Sequence, residues 1–176
     1  QEVSISLQDL SGCLTVGIGV ASTNTTLRLK LRDVIIGQTM KQALLLAGGK
    51  DIKVWKIHTG SGFQAGFAAV QISGGITGHV SIDDSWLEGG DRAVYLALDT
   101  PGTASVDINR CYLKPAIGSG GSQAVGIETA ANQTDFYLTN NVVASGCIEG
   151  LKIGSGCDYY HIKGNRNKAR LSDAAF

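Results

Sequence analysis

Short segments with alternating apolar positions recur along the chain at intervals of about 26 residues. In the first motif, two apolar residues flank one other residue, and it occurs at Ile5-x-Leu7, Leu29-x-Leu31, Trp55-x-Ile57, Val80-x-Ile82, Val106-x-Ile108, Phe136-x-Leu138 and Tyr160-x-Ile162. Because side chains alternate faces along a β-strand, this period of two predicts strands with one buried face. No segment shows the period of a helix over a useful length.

Two further motifs divide each interval. The second lies half a period after the first, at Val16-x-Ile18, Leu44-x-Leu46, Val70-x-Ile72, Val94-x-Leu96, Val125-x-Ile127, Leu151-x-Ile153 and, more weakly, Ala169-x-Leu171. The third is shorter and follows the first by a few residues, at Ile35-Ile36, Trp86-Leu87, Tyr112-Leu113 and Val142-Val143. Each row of about 26 residues therefore holds three short predicted strands.

Repeats of this length indicate stacked units that bury one continuous core. Strand periodicity excludes helical repeats, the Leu/Asn spacing of leucine-rich repeats is absent, and propeller blades need about 40 residues. The sequence therefore predicts an all-β protein, a parallel β-helix of about seven coils with three short strands per coil. Its 24 glycines, with pairs such as Gly48-Gly49 and Gly74-Gly75, are expected at the corners. Residues 1–176 are expected to form one domain whose last coil fades after about residue 163.

Composition excludes several functions. Lys and Arg total 15, as do Asp and Glu, so the net charge is zero, which argues against nucleic-acid binding through a basic face. No apolar run is long enough for membrane insertion. The charge is nevertheless banded: residues 28–56 hold seven basic and two acidic residues, residues 83–107 hold six acidic residues and one Arg, and the segment after 163 is basic again. Two interpretations stay open, namely neighbouring bands that neutralise each other and a groove for a charged glycan.

Four rows of the sequence resemble coils of right-handed, pectate-lyase-like β-helices. They are Leu29–Ile35, Val80–Trp86, Val106–Tyr112 and Phe136–Val142. The resemblance extends from Val3 to about Leu171. This superfamily contains pectate lyases, polygalacturonases, other polysaccharide depolymerases and bacteriophage tailspikes or tail fibres. The polar, Gly/Ser/Thr-rich coils are most similar to the phage proteins. The resemblance therefore implies a homotrimer on a virion tail or fibre that binds, and often cleaves, bacterial surface polysaccharide.

The ends of a β-helix must be covered, because open strand edges add further strands. Superfamily members commonly begin with a plug helix, and none precedes Val3, so we expect a neighbouring virion or fibre domain or chain to cover the first coil. A fragment of a longer chain is the alternative. The cysteines, expected to stay reduced, suit assembly in a host cytoplasm; extracellular secretion is the alternative location.

The third motif supplies an aromatic pair. Because Leu87 and Leu113 take inward positions, Trp86 and Tyr112 are predicted to point outward from neighbouring coils. Stacked exposed rings suit the apolar faces of sugars. Aromatic residues are also enriched in subunit interfaces, so a trimer contact is the alternative.

Four polar residues complete the predicted carbohydrate-binding set. Asp84 and Arg110 lie at the corner before the aromatic pair. Asp84 can accept hydrogen bonds from sugar hydroxyls, and Arg110 can donate to hydroxyls or to a carboxylate. Arg32 and His58 are predicted to share one outward ladder with Asp83.

Three carboxylates are candidate catalytic groups. Asp83 and Asp107 are predicted to project from one face of adjacent coils, offset by two residues, with Asp84 as an alternative partner; inverting glycosidases need carboxyl groups about 6.5–9.5 Å apart. A lyase would use an acidic Ca²⁺ cluster with Arg110 as base. Asp residues in corners also accept backbone N–H bonds. The polygalacturonase set Asn-x-Asp…Asp-Asp…Arg-x-Lys does not occur in order, which favours binding over catalysis.

No metal or cofactor is expected. His58, His79 and His161 share no ligand spacing. The cysteines lack a C-x-x-C pair, and Cys111 aligns with Ser85 and Asn141 in a predicted buried corner. Three hypotheses result: a glycan-binding fibre module, a polysaccharide depolymerase (hydrolase or lyase), or a purely structural fibre spacer.

Overall fold

The computed structural model describes residues 1–6, 16–37, 41–60, 66–115, 124–144 and 147–167. These residues form 19 strands, numbered β1–β19 along the chain, in three parallel sheets, and include no helix. Consequently no described helix is long and apolar enough to cross a membrane.

Each sheet takes one strand from successive coils. Sheet A contains, in spatial order, β1 (Glu2–Ser6), β3 (Arg28–Arg32), β6 (Asp51–Trp55), β9 (Gly78–Asp83), β12 (Ala104–Asn109), β15 (Thr134–Thr139) and β18 (Asp158–Lys163). Sheet B contains β4 (Ile35–Ile36), β7 (His58–Thr59), β10 (Trp86–Glu88), β13 (Tyr112–Lys114), β16 (Val142–Val143) and β19 (Arg166–Asn167). Sheet C contains β2 (Val16–Val20), β5 (Gln42–Leu46), β8 (Ala68–Gly74), β11 (Arg92–Leu98), β14 (Val125–Thr129) and β17 (Glu149–Lys152).

The chain passes through sheets A, B and C in turn and then begins the next coil, which confirms a parallel β-helix with a spacing of about 26 residues. Five coils have all three strands, and the first and last have two each within the described residues, so the coil count is slightly lower than predicted. The right-handed sense stays a prediction, supported by the strong preference of parallel crossovers for that hand.

Matching apolar side chains of successive coils stack into one continuous core. In sheet A, Val80, Val106 and Phe136 occupy one inward row, and all three are fully buried. Sheet C stacks in the same way, with β2 and β14 displaced by two residues from the predicted register, which leaves the inward face unchanged. Burial of these rows supplies the main driving force for folding.

The predicted register of sheet A is wrong in two coils. In the first, Val3 and Ile5, rather than Ile5 and Leu7, pair with the inward residues of β3. In the third, Ile52 and Val54 take the inward positions, not Trp55 and Ile57. The reason in the third coil is that the chain turns at Lys56, which has a φ of 54°. Trp55 and Ile57 therefore lie on opposite sides of a corner, and their spacing does not reflect a strand.

Sheet B confirms the third motif and adds two strands. The predicted pairs correspond to β4, β10, β13 and β16. Strands β7 and β19 were missed because Thr59 and Asn167 replace an apolar residue at the inward position. Thr59 is fully buried, and its hydroxyl donates to the Glu88 carbonyl oxygen at 2.8 Å.

The corner between sheets A and B repeats in every complete coil. The residue after each sheet A strand has a positive φ, and this row, called the corner row, is Asp33, Lys56, Asp84, Arg110 and Asn140. The next residue points inward, and in consecutive coils it is Ser85, Cys111 and Asn141, as predicted. Asn141 is fully buried: its Oδ1 accepts from the Cys111 N–H, and its Nδ2 donates to the Ile108 carbonyl oxygen, both at 2.9 Å.

The described cysteines Cys111, Cys147 and Cys157 are free, and Cys13 lies outside the described residues. The Cys111 thiol is buried and donates to the Ile82 carbonyl oxygen at 3.5 Å. Burial raises the pKa of Cys111 to about 12, so this side chain fills a corner rather than reacts.

Candidate functional site

Three outward rings of sheet B stack along the solenoid axis, and we call them the aromatic ladder: His58, Trp86 and Tyr112. Trp86 lies in register with both neighbours, with ring centroids 5.5 Å from His58 and 4.2 Å from Tyr112. Leu87 and Leu113 are fully buried, and Trp86 is 40% exposed. The predicted outward direction of Trp86 and Tyr112 is confirmed. His58 lies here rather than in the ladder of Asp83, because the corner at Lys56 places it in sheet B.

Glu88 holds one edge of the aromatic ladder in place. It accepts a hydrogen bond from Trp86 Nε1 at 3.0 Å and one from Lys114 Nζ at 2.8 Å. Burial opposes ionisation of Glu88, but these two hydrogen bonds prevail and lower its pKa. The indole ring is therefore fixed through its edge, while the side chain stays partly exposed between its two neighbouring rings.

Asp84 and Arg110 form a bidentate pair in the corner row, between sheets A and B. Arg110 Nε donates to Asp84 Oδ1 at 2.6 Å, and Nη2 donates to Oδ2 at 3.0 Å. The hydrogen bonds from Arg110 lower the pKa of Asp84, which keeps this carboxylate ionised. Asp84 is therefore suited to hold Arg110 in place and unsuited to donate a proton.

An open groove of about 600 Å³ lies over the outer face of sheet A, and we call it the sheet A groove. Its lining residues come from three successive coils and are Lys53, Trp55, His79, Ser81, Asp83, Asp84, Asp107 and Arg110. All three candidate acids are thus brought to one place. Arg32 does not line the groove, but its guanidinium lies 6.0 Å from the centroid of the Trp55 ring, at the groove's edge.

Asp83 and Asp107 project from the same face of neighbouring strands, offset by two residues as predicted. Asp83 accepts a hydrogen bond from Asn109 Nδ2 at 3.1 Å, and its contact with Arg110 is longer, at 3.7 Å. Asp107 lies 3.7 Å from His79 Nε2. Burial raises the pKa of Asp107, with a further rise from the negative charge of Asp83, against the opposing effect of His79.

The raised pKa of Asp107 predicts a pH-dependent stability difference. The folded state holds this proton more tightly than the unfolded chain, so the wild type loses stability as pH rises from the ordinary Asp range of about 4 through the raised pKa. Asp107→Asn lacks this loss. Its melting temperature relative to wild type should therefore increase across that interval and stay constant above it, in thermal unfolding followed from about pH 3 to pH 7. The exposed Asp99→Asn serves as control, and a parallel shift in both variants would contradict the assignment.

Cross-coil ion pairs neutralise part of the basic band through acidic residues of the band itself and of β1. Arg28 pairs with Asp51 at 3.0 Å, and Lys30 pairs with Glu2 at 2.8 Å. Lys53 has no ion-pair partner among the described residues, although it lies in the same basic band. Among the described residues no ion pair joins the basic band to the acidic band, and Lys53 brings an unpaired positive charge to the groove.

Sequence reasoning missed Trp55, Lys53 and His79. Trp55 was assigned to the interior because Ile57 follows it at strand spacing. The available signal was the Ile52-x-Val54 pair, which satisfies the repeat and leaves Trp55 outward in register with Asp83. Within the described ranges, no group of three or more His, Cys, Asp or Glu side chains is arranged to hold a metal ion.

Known proteins show no significant similarity to this chain at three levels of comparison. No family model, no curated protein and no solved structure matches it.

Proposed function

We propose that the chain is a β-helix module of the bacteriophage tailspike or tail-fibre type, which binds a host surface polysaccharide and contributes to virion attachment. The aromatic ladder carries the proposal. Its rings follow the axis at the spacing of adjacent coils, about 4.8 Å, and Trp86 at its centre is 40% exposed. Consecutive sugar rings of one polysaccharide chain can stack on such a series through their apolar faces.

Charged side chains on both sides of the aromatic ladder can orient a bound sugar. On one side Arg110, fixed by Asp84, presents a charge-assisted donor, and on the other side the Glu88–Lys114 pair presents a second one. Charged donors and acceptors fixed by their own partners lose little freedom on binding, which favours specificity for a hydroxyl pattern. We therefore assign stacking to the rings and orientation to the two ion pairs.

The wider assembly is part of the proposal. A homotrimer joined to neighbouring virion or fibre domains, assembled in the host cytoplasm, would present several aromatic ladders to one bacterial surface. The competing use of the ladder is the trimer interface itself, because Ile35, in line with His58, is 48% exposed and adds to the apolar surface. In that case ring removal would dissociate the trimer rather than weaken glycan binding.

The variants Trp86→Ala and Tyr112→Ala test the proposal. We expect each to weaken binding to the recognised polysaccharide on an array of bacterial surface polysaccharides by about tenfold or more, because one stacking contact is lost. Tyr159→Ala is the matched control, since Tyr159 is 82% exposed and lies in β18, outside the ladder. Sedimentation of the same variants measures the assembly state. Retained mass with lost binding supports the proposal, and wild type that binds no polysaccharide contradicts it.

A second candidate function is polysaccharide hydrolysis in the sheet A groove. The observation that favours it is Asp107, whose raised pKa suits a general acid, with Asp83 as a second carboxylate on the same face. The pair with Arg110 removes Asp84 from the candidate proton donors. Incubation with the recognised polysaccharide should then shorten its chains, and Asp107→Asn should abolish the shortening. A pure spacer would neither bind nor cleave.

A further inference from the structure

The outward charges of sheet A change sign along the solenoid axis. Strand β3 carries Arg28, Lys30 and Arg32, and β6 adds Lys53 in the same row as Lys30. Two coils further on, the row that contains Lys53 and Ser81 reaches Asp107. Lys53 and Asp107 are thus two coil spacings apart, about 10 Å, which is comparable to the length of a disaccharide.

Charges at both ends of this row are available to a ligand. Arg28, Lys30 and Arg32 already pair with acidic neighbours at 2.8–3.0 Å. Lys53, in contrast, is exposed and has neither an ion pair nor a side-chain hydrogen bond within the described part of the chain. The Ser81 hydroxyl, next in the row, also has no hydrogen-bond partner there.

At the other end, two carboxylates have no ion pair shorter than 3.7 Å among the described residues. Arg110 Nη2 lies 3.7 Å from Asp83 but is committed to Asp84, and His79 Nε2, which is a cation only when protonated, lies 3.7 Å from Asp107. Like charges on one face of neighbouring strands repel each other. A cation placed between them would relieve that repulsion, which adds to the effect of burial in raising the pKa of Asp107.

Trp55 provides a platform beside the row. Arg32 lies over its ring from the preceding coil, and Asp83 follows it in register in the next coil. The indole is therefore placed for a sugar ring to stack on it while substituents of neighbouring sugars reach Lys53 and the two carboxylates.

We propose that the sheet A groove binds a zwitterionic glycan along the solenoid axis, with an acidic substituent at Lys53 and a free amino group between Asp83 and Asp107. The proposal rests on the glycan-binding function and names its ligand class, in a site separate from the aromatic ladder. A purely anionic glycan would be repelled by Asp83 and Asp107, and a purely cationic one would be repelled by Lys53 and Lys30. Only a chain with both charges, spaced along its length, is complementary to both ends.

The experiment compares two polymers that differ in one chemical group. Heparosan alternates glucuronic acid with N-acetylglucosamine, and its N-deacetylated form carries a free amine in place of each acetamide. Calorimetric titration of the full chain should show about tenfold tighter binding of the deacetylated polymer, since a charge-assisted contact is gained. The preference should fall steeply as salt is raised.

Two variants assign the preference to the groove. Asp107→Asn should remove the preference for the amine, because it weakens binding of the deacetylated polymer and tightens binding of anionic heparosan. Lys53→Gln should weaken the binding of both polymers by about tenfold. The exposed Asp99→Asn and Lys41→Gln, outside the groove, should retain wild-type affinities.

Equal affinity of the wild type for the two polymers would overturn the zwitterion proposal. If bacterial polysaccharides still bind in a manner that depends on Trp86, the glycan-binding function survives that result. If no polysaccharide binds at all, both proposals fail.

Discussion

Replacement of Asn141 by Leu should lower the free energy of unfolding by about 2–5 kcal/mol. The Asn141 amide is the partner of two buried backbone groups, the Cys111 N–H and the Ile108 carbonyl oxygen, each at 2.9 Å. Leu keeps the branching of the side chain but leaves both groups unpaired, and each buried unpaired group costs about 1–3 kcal/mol. The measurement is the urea midpoint followed by circular dichroism, with an unchanged slope as evidence that the folded state is retained.

Asn24→Leu is the matched control for this prediction. Asn24 lies in an exposed turn, and only its backbone groups make hydrogen bonds there, so the same substitution should change stability by less than about 0.5 kcal/mol. An Asn141→Leu variant as stable as the control would show that corner hydrogen bonds contribute little to the stack.

Gly74→Ala should destabilise the fold by about 2–4 kcal/mol. Gly74 ends β8 with a φ of 69°, a conformation that costs an alanine about 1–2 kcal/mol. A β-carbon at this position would also overlap the carbonyl oxygen of Ala47 in the preceding coil, and that backbone cannot retreat without opening the stack. Thermal and urea unfolding of the purified variant would measure the loss.

The adjacent Gly75 offers an unusually close control. No atom lies within 4 Å of the β-carbon that an alanine would add there, and its φ is outside the positive range. Gly75→Ala should therefore be neutral or slightly stabilising, because alanine restricts the unfolded chain. If both variants lost the same stability, the close approach at Ala47 would not be the cause.

The inward rows of the fold could be predicted because they repeat. The apolar pairs of sheets A and C recur in neighbouring coils, and each confirms the next. That redundancy also identified Trp86 and Tyr112 as outward, since Leu87 and Leu113 had to be inward. Sequence reasoning therefore succeeded where a single position was constrained by several coils.

In the third coil the sequence-based prediction failed because one corner could not be recognised from the sequence. Lys56 adopts a left-handed conformation that the amino acid type does not indicate, because lysine has no intrinsic preference for it. The corner row aligns Lys56 with Asp33 and Asp84, but this alignment becomes visible only when the strands on both sides are paired. The misplaced corner in turn hid Trp55 and moved His58 to the wrong sheet.

The charge properties of the sheet A groove required the structure for a different reason. The pKa of Asp107 depends first on burial, which is set by side chains from adjacent coils about 26 residues away in sequence. The unpaired state of Lys53 also depends on adjacent coils, because the nearby acidic side chains pair with its basic neighbours instead. Composition identified the charged bands but not the members that remain unpaired.

The corner row has a consequence for attachment strength. It separates the aromatic ladder from the sheet A groove by little more than one residue per coil, and Arg110 lines the groove while preceding Tyr112 by two residues. If both proposed sites bind one polysaccharide, two weak contacts held this close on a rigid frame act at high effective concentration toward a polymer with many identical repeats. Release would then require both contacts to open together, so that modest affinities on each face would combine into a long residence time on a densely coated surface.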